Sequence, residues 1–211
     1  MKFKHGDVLE IPLQHNFGYA YGQLLLFKEI ILVVYDLFSK ESLIKKGEEE
    51  LFLKATPLWN PFILRTLPRE RGKEKWAIVS SLKPFFNIPP DFKRDGLDIT
   101  GLLEIISEGN LSNGTFFSEY ENAKHLPLWG HCHPDLIVNV LTMFWIEKNG
   151  LGIYDYYDST DTNFLITMAK GFKESVVNEH FESIPEEIRY RTQGKLINVE
   201  EYKKNYMNPP E

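Results

Sequence analysis

Residues 6–26, GDVLEIPLQHNFGYAYGQLLL, constrain the fold more than any other stretch of the chain. They read as two strands and a turn. Val8, Ile11 and Leu13 are apolar, with Pro12 among them. Proline has no N–H to give to a ladder, so this first strand is expected at a sheet edge or with a bulge near Pro12. Gln14-His15-Asn16 makes a polar turn, where Gly18 can supply a positive φ. In the second strand Tyr19, Tyr21, Gln23 and Leu25 share one face. Ala20, Gly22, Leu24 and Leu26 share the other, where small residues permit close backbone approach. The pattern suits a small, strongly curved antiparallel sheet.

Two segments carry a family resemblance. GDVLEIPL followed by YAYGQLL resembles the opening of the immunity protein 26 family of bacterial polymorphic toxin systems, and KWAIVSSLKP at 75–84 resembles that family's second block, a Trp, an apolar strand and a turn before a proline. Together they span the first 95 residues. The resemblance implies a mostly β protein, a curved sheet or SH3-like barrel, that binds and neutralises a toxin encoded beside it. It implies no catalytic residues and no cofactor. The second half carries no such resemblance.

The 211 residues suffice for one large domain or two small ones. Aromatics reach 14%, enough to build a core and still leave rings for a binding surface. Charge is divided unevenly. Residues 1–95 hold 15 Lys/Arg and 12 Asp/Glu, a net +3, whereas residues 96–211 hold 9 and 18, a net −9. An acidic second half argues against a nucleic-acid ligand and suits a basic partner. The single cysteine, Cys132, excludes an intramolecular disulfide and fits a cytoplasmic location. MKFKHGDV has no apolar core of a signal peptide, and the apolar run at 30–37 is too short to span a bilayer, so no membrane association is expected.

The continuous apolar run at 30–37 reads as a strand buried on both faces. Charged residues 40–50 read as a loop or short helix. Further strands are expected at 51–55, 62–67 and 76–81, and prolines 84, 89 and 90 stiffen a connector ending near residue 95. That is the expected boundary between a β-rich domain, 1–95, and an acidic mixed region, 96–211, with the alternative that both share one core. In the second region, Asp98 and the following apolar residues suggest a helix over 98–107. Residues 116–125 are open to either type. Pro134–Lys148 has the clearest helix signals: proline in the first turn, Asp135 at the positive end, and Asn149-Gly150 as a stop. A strand is expected at 151–157, a helix capped by Asp161 at 162–181, a strand at 188–191 and a helix at 199–206. The fold class is α+β.

His131-Cys132-His133, with Asp135 just beyond, offers zinc-type ligands before a helix start. Along an extended segment, however, His131 and His133 point one way and Cys132 the other. The expectation is therefore no metal, with a histidine bonding backbone groups at the helix entrance. A Cys132–His nucleophilic pair fails for a similar reason, because a base usually arrives from elsewhere in the fold. Asp155, Asp158 and Asp161 are spaced for cation binding but lack the glycine and terminal Glu of a calcium loop. They suit turn, cap or partner-facing roles. Trp129, in LPLWGH, is expected as an exposed anchor, and Tyr19 and Tyr21 as further partner-binding rings.

These features favour a non-enzymatic immunity protein that occludes a toxin through Trp129, Asp155, Asp158, Asp161, Tyr19 and Tyr21. Two readings stand beside it. One is a metal-assisted hydrolase built on His131, His133 and Asp135. The other is a barrel ribonuclease of toxin type, for which +3 over 95 residues is little charge.

Overall fold

The computed structural model describes residues 3–43, 49–68, 75–94, 102–157 and 197–198. The expected helix at 162–181, strand at 188–191 and helix at 199–206 lie outside the described residues. The architecture is α+β. The chain divides into two units, each assembled from two stretches: Met1–Asn87 with His131–Lys170, and Ile88–Gly130 with Gly171–Glu211. The sequence places its change of character near residue 95. The first unit nevertheless takes back a later stretch of the acidic half.

The first unit is organised by its hairpin. Strand β1 (Asp7–Pro12) pairs antiparallel with β2 (Tyr19–Leu26), which pairs antiparallel with β3 (Ile30–Ser39). Strands β4 (Phe62–Leu64), β5 (Ala77–Ser81) and β9 (His131–Cys132) complete a six-stranded sheet in the order β5-β1-β2-β3-β4-β9. Among the described residues only the β4–β9 pairing in this sheet is parallel. Among the described residues β5 and β9 do not meet, so the sheet is open rather than a closed barrel. Strand β1 is interior, not an edge. Pro12 is tolerated because pairing with β5 ends at Glu10↔Ala77, two residues earlier, and the irregularity of that ladder falls between Val8 and Leu9.

Both faces of the central strands are covered. Leu9, Ile11, Ala20, Leu24, Leu32 and Val34 form a core with Ile137 and Leu141 of helix α3 (Pro134–Lys148). On the opposite face Tyr21 packs against Phe52 of α1 (Glu49–Lys54), with ring centroids 5.4 Å apart. Val8, Ile11, Leu24, Ile31, Val33 and Trp76 are all buried. Helix α3 begins and ends where the sequence places it. His133 is its N-cap, Pro134 opens its first turn, and no residue from Leu136 to Ile146 is exposed.

The second unit holds a four-stranded antiparallel sheet, β10-β8-β7-β6, from Ile197–Asn198, Thr115–Glu119, Leu102–Ile106 and Phe92–Lys93. Leu103 and Ile105 pack with Tyr120 and Ala123 of the short helix α2 (Tyr120–Ala123).

Three expected elements take another form. Within the expected helix at 98–107, the described residues Leu102–Ile106 form a strand, β7, because these four aliphatic residues around Glu104 lie between two partner strands. A run of five does not distinguish strand from buried helix by period. Residues 51–54 are helical: only Phe52 is buried there, while Leu51 and Leu53 face solvent and Lys54 pairs with Glu50 one turn back. Residues 151–157 contain a 3-10 turn, Ile153–Asp155, closed by the Asp155 N–H on Gly152 O at 3.2 Å. The alternating tyrosines imitate a strand, yet the chain has just left α3 through Asn149-Gly150 and has no partner strand among the described residues.

Candidate functional site

Strand β9 shows how the His-Cys-His stretch is used. His131 and His133 are exposed and Cys132, between them, is buried, as alternation requires. His131 Nε2 lies 3.0 Å from Glu29 Oε2, a carboxylate on the β2–β3 turn. Cys132 O accepts the Arg65 N–H at 2.8 Å, and its side chain joins the core beneath α3. His133 Nδ1 accepts from the Asp135 N–H at 3.5 Å and lies 3.3 Å from the Asp135 carboxylate. His133 therefore caps the helix through its ring, as expected for a histidine at a helix entrance. Each imidazole is directed to a different carboxylate. Among the described residues no three His, Cys, Asp or Glu side chains are grouped to hold a metal.

The expected aromatic contacts part company. Tyr21 is fully buried, so its ring belongs to the core and offers no surface to a partner. Its hydroxyl donates to Glu10 Oε2 at 2.9 Å, and Glu10 also accepts from Ser42 Oγ at 2.8 Å and the Leu43 N–H at 2.9 Å. Burial, reinforced by the bond to Glu10, pushes the Tyr21 phenol far above its ordinary pKa. Tyr19 is half-buried at the start of β2, opposite Pro12 and Ser39. Trp129 belongs to the second unit and is half-buried. Its backbone N–H donates to Lys93 O at 2.7 Å, and its ring meets Phe92 edge-on at 5.8 Å. Asp155 is exposed on its 3-10 turn. Asp158 and Asp161 lie outside the described residues.

Two stretches that the sequence singles out separately meet in the first unit. The Gln14–Asn16 turn comes from the N-terminal hairpin, and Tyr156 and Tyr157 follow Asp155 in the acidic run. The Tyr157 hydroxyl donates to Gln14 Oε1 at 2.7 Å, and the Gln14 N–H donates to Thr142 Oγ1 of α3 at 3.1 Å. These bonds hold a turn in which His15 (φ 55°) and Asn16 (φ 57°) are both left-handed. Such a conformation costs a non-glycine residue of order 1–3 kcal/mol. The His15 ring sits 5.4 Å from Tyr156, 5.3 Å from Tyr157 and 5.7 Å from Phe17. Phe17 in turn stacks on Trp145 at 4.3 Å and meets Tyr156 at 5.0 Å. His15 is exposed and the other four rings are half-buried.

This cluster of His15, Phe17, Trp145, Tyr156 and Tyr157 is the candidate binding surface. Sequence reasoning found its two neighbourhoods through Tyr19 and Asp155 but missed the five rings. The available signal was the pairing of a His-Asn turn with a Tyr-Tyr step. Nothing local relates positions more than 140 residues apart. Chemically the surface offers flat apolar area, an imidazole and phenol hydroxyls, the groups over-represented where proteins recognise proteins. Comparison with protein-family models, with curated proteins and with solved structures finds no match to this chain.

Proposed function

We propose that this chain is an inhibitor that acts by binding: an immunity protein that occludes a toxin encoded beside it. The observation that carries the reading is the clustering of five partly exposed rings around a turn held in an unfavourable backbone conformation. Strain of this kind, locked by Gln14 through Tyr157 and Thr142, is expected where a fixed presentation is needed. Aromatic rings give large contact area with few rotors to freeze, so a rigid cluster suits an anchor in an occlusive interface. Asp155, exposed beside the cluster, would steer a basic partner toward it.

Co-expression tests the proposal. The product of the gene immediately upstream should arrest growth alone and be tolerated with this chain. Phe17→Ala and Tyr156→Ala should weaken that protection, and Asp155→Lys should slow association measured with the purified pair. Protection unaffected by both ring substitutions would remove the cluster from the interface, and no protection by the unaltered chain would remove the proposed function.

A further inference from the structure

The chain contains two Asn-Gly steps, Asn113-Gly114 and Asn149-Gly150. An asparagine in this position is open to attack on its side-chain amide by the next backbone nitrogen, because glycine has no Cβ to crowd the closing ring. The fold treats the two steps differently. Asn149 ends α3. Its Nδ2 donates to Trp145 O at 2.7 Å, and the Gly150 N–H donates to Glu147 O at 2.9 Å. The Leu151 N–H, at 3.0 Å from Ile146 O, fixes the step from its far side.

Asn113 is exposed in the connection from β7 to β8. Its Nδ2 donates to Glu108 Oε2 at 3.1 Å, and its Oδ1 accepts from Asn110 Nδ2 at 3.2 Å. This orientation follows from donor chemistry. The Glu108 carboxylate accepts, and Asn110 Oδ1 is taken by the Ser112 N–H at 2.9 Å, which turns Asn110 Nδ2 toward Asn113. A donor at Oδ1 draws charge from the Asn113 amide carbon and supports the oxyanion that forms when a nucleophile adds there. Asn149 Oδ1 has no such donor among the described residues. The Gly114 N–H, the nucleophile's own group, reaches Leu111 O over 3.2 Å, a longer bond than that of Gly150. A Cβ on Gly114 would meet nothing within 4 Å, so the ring has room to close.

We propose that Asn113 is a self-modifying site that deamidates in the folded protein, with Asn110 polarising its carbonyl. The Gly114 nitrogen bonds to Asn113 Cγ and gives up its proton. The Cγ–Nδ2 bond breaks, and Nδ2 leaves with that proton as ammonia. One water then opens the cyclic imide at either carbonyl, leaving aspartate or isoaspartate. Aspartate sets a carboxylate against Glu108 where an N–H donor stood, and isoaspartate adds a methylene to the backbone entering β8. Glu108 is already left-handed, at φ 48°. Repulsion in place of its bond to Asn113 therefore loosens residues 107–114.

The test incubates the purified full chain at mildly alkaline pH, folded and in urea. Mass spectrometry of its peptides scores each Asn-Gly step, and enzymatic methylation scores isoaspartate. In urea the two steps should convert at similar rates. In the folded chain Asn113 should convert about five-fold faster than Asn149, the rate equivalent of one neutral hydrogen bond. Asn110→Asp keeps the oxygen that receives the Ser112 N–H and removes the donor to Asn113. It should slow Asn113 about five-fold in the folded chain and not in urea. Asn113→Asp, which stands for the product, should speed hydrogen exchange over residues 107–114. Conversion of Asn113 only in urea, or no faster than Asn149 in the folded chain, overturns the site. Undiminished conversion in Asn110→Asp overturns the polarising role, and unchanged exchange in Asn113→Asp overturns the loosening.

Discussion

Tyr21 and Glu10 stand directly opposite each other across the β1–β2 ladder, and the Tyr21 hydroxyl donates to Glu10 Oε2 over 2.9 Å with both side chains out of water. A buried carboxylate needs its lone pairs met, and here the donors are a phenol, the Ser42 hydroxyl and the Leu43 N–H. The pair thus ties the end of the β3 connection to the inner hairpin. Tyr21→Phe keeps the ring against Phe52 but removes one donor, and should cost about 1–3 kcal/mol. Glu10→Ala strips the acceptor from three buried or part-buried donors and should cost more. Urea unfolding midpoints at a constant slope will rank them. A neutral Tyr21→Phe would mean that the hydroxyl contributes nothing net to the hairpin.

Alkaline pH should act through buried phenols. Burial pushes the Tyr35 pKa up to about 12 and raises that of Tyr21 still more, the latter with help from Glu10. In the unfolded chain both titrate near 10. Below that pH both states keep the protons and stability is unaffected. Above it the unfolded chain loses protons that the folded chain retains, so stability falls as pH rises. The expected slope is about 1.4 kcal/mol per pH unit for each retained proton, with the contribution of Tyr35 levelling off near its folded pKa. Denaturation at a series of pH values, together with ultraviolet titration of phenolate, will check this. Tyr35→Phe should flatten the slope between about 10 and 12.

Gly18 follows the strained turn at φ +105°, and a Cβ there would drive into the Ser39 carbonyl and lie 2.8 Å from Lys40 Cα. Gly18→Ala therefore meets both a disfavoured φ and fixed backbone. It should destabilise the chain by well over the roughly 1 kcal/mol usual for a single substitution. Calorimetry against the unaltered chain will show it, and an unchanged midpoint would mean that the β2–β3 pairing at Tyr19↔Ser39 opens without cost.

The sequence made legible what depends on local chemistry. The Gln14–Asn16 turn, the positive φ at Gly18 and both ends of α3 all follow from residues within a few positions of each other. Segments decided by distant partners read less well. Leu102–Ile106 is a strand because Thr115–Glu119 and Phe92–Lys93 flank it, and residues 51–54 are helical because the sheet needs only Phe52 from them. Tyr21 is expected as a partner-binding ring because aromatics gather at binding hot spots. Alternation assigns a face without saying what covers it, and here α1 supplies Phe52. The candidate site divides the same way. A histidine at the helix entrance was readable from the His131-Cys132-His133 stretch before Pro134, and His133 is the one that caps. The His15 cluster was not, since Tyr156 and Tyr157 reach it only after the chain has passed through α3.

The last prediction separates presentation from stability at that cluster. His15 is left-handed, exposed and flanked by three rings. Glycine adopts this backbone without the penalty that histidine carries, so His15→Gly relieves strain. It also removes ring contacts and loosens the unfolded chain, which oppose the gain. The net change in stability should fall within about 1 kcal/mol of zero. If the turn is held for recognition, binding should nevertheless suffer: His15→Gly should speed dissociation from the upstream gene product, as expected where a strained site serves function at the expense of stability. Asn16→Gly relieves the same kind of strain while leaving every ring in place, and should bind as the unaltered chain does. Unfolding midpoints and dissociation rates for the two variants give a crossed comparison. Equal dissociation for His15→Gly and Asn16→Gly would show that the imidazole is not part of the interface. The strain at this turn would then serve only to join the hairpin to α3 through Gln14.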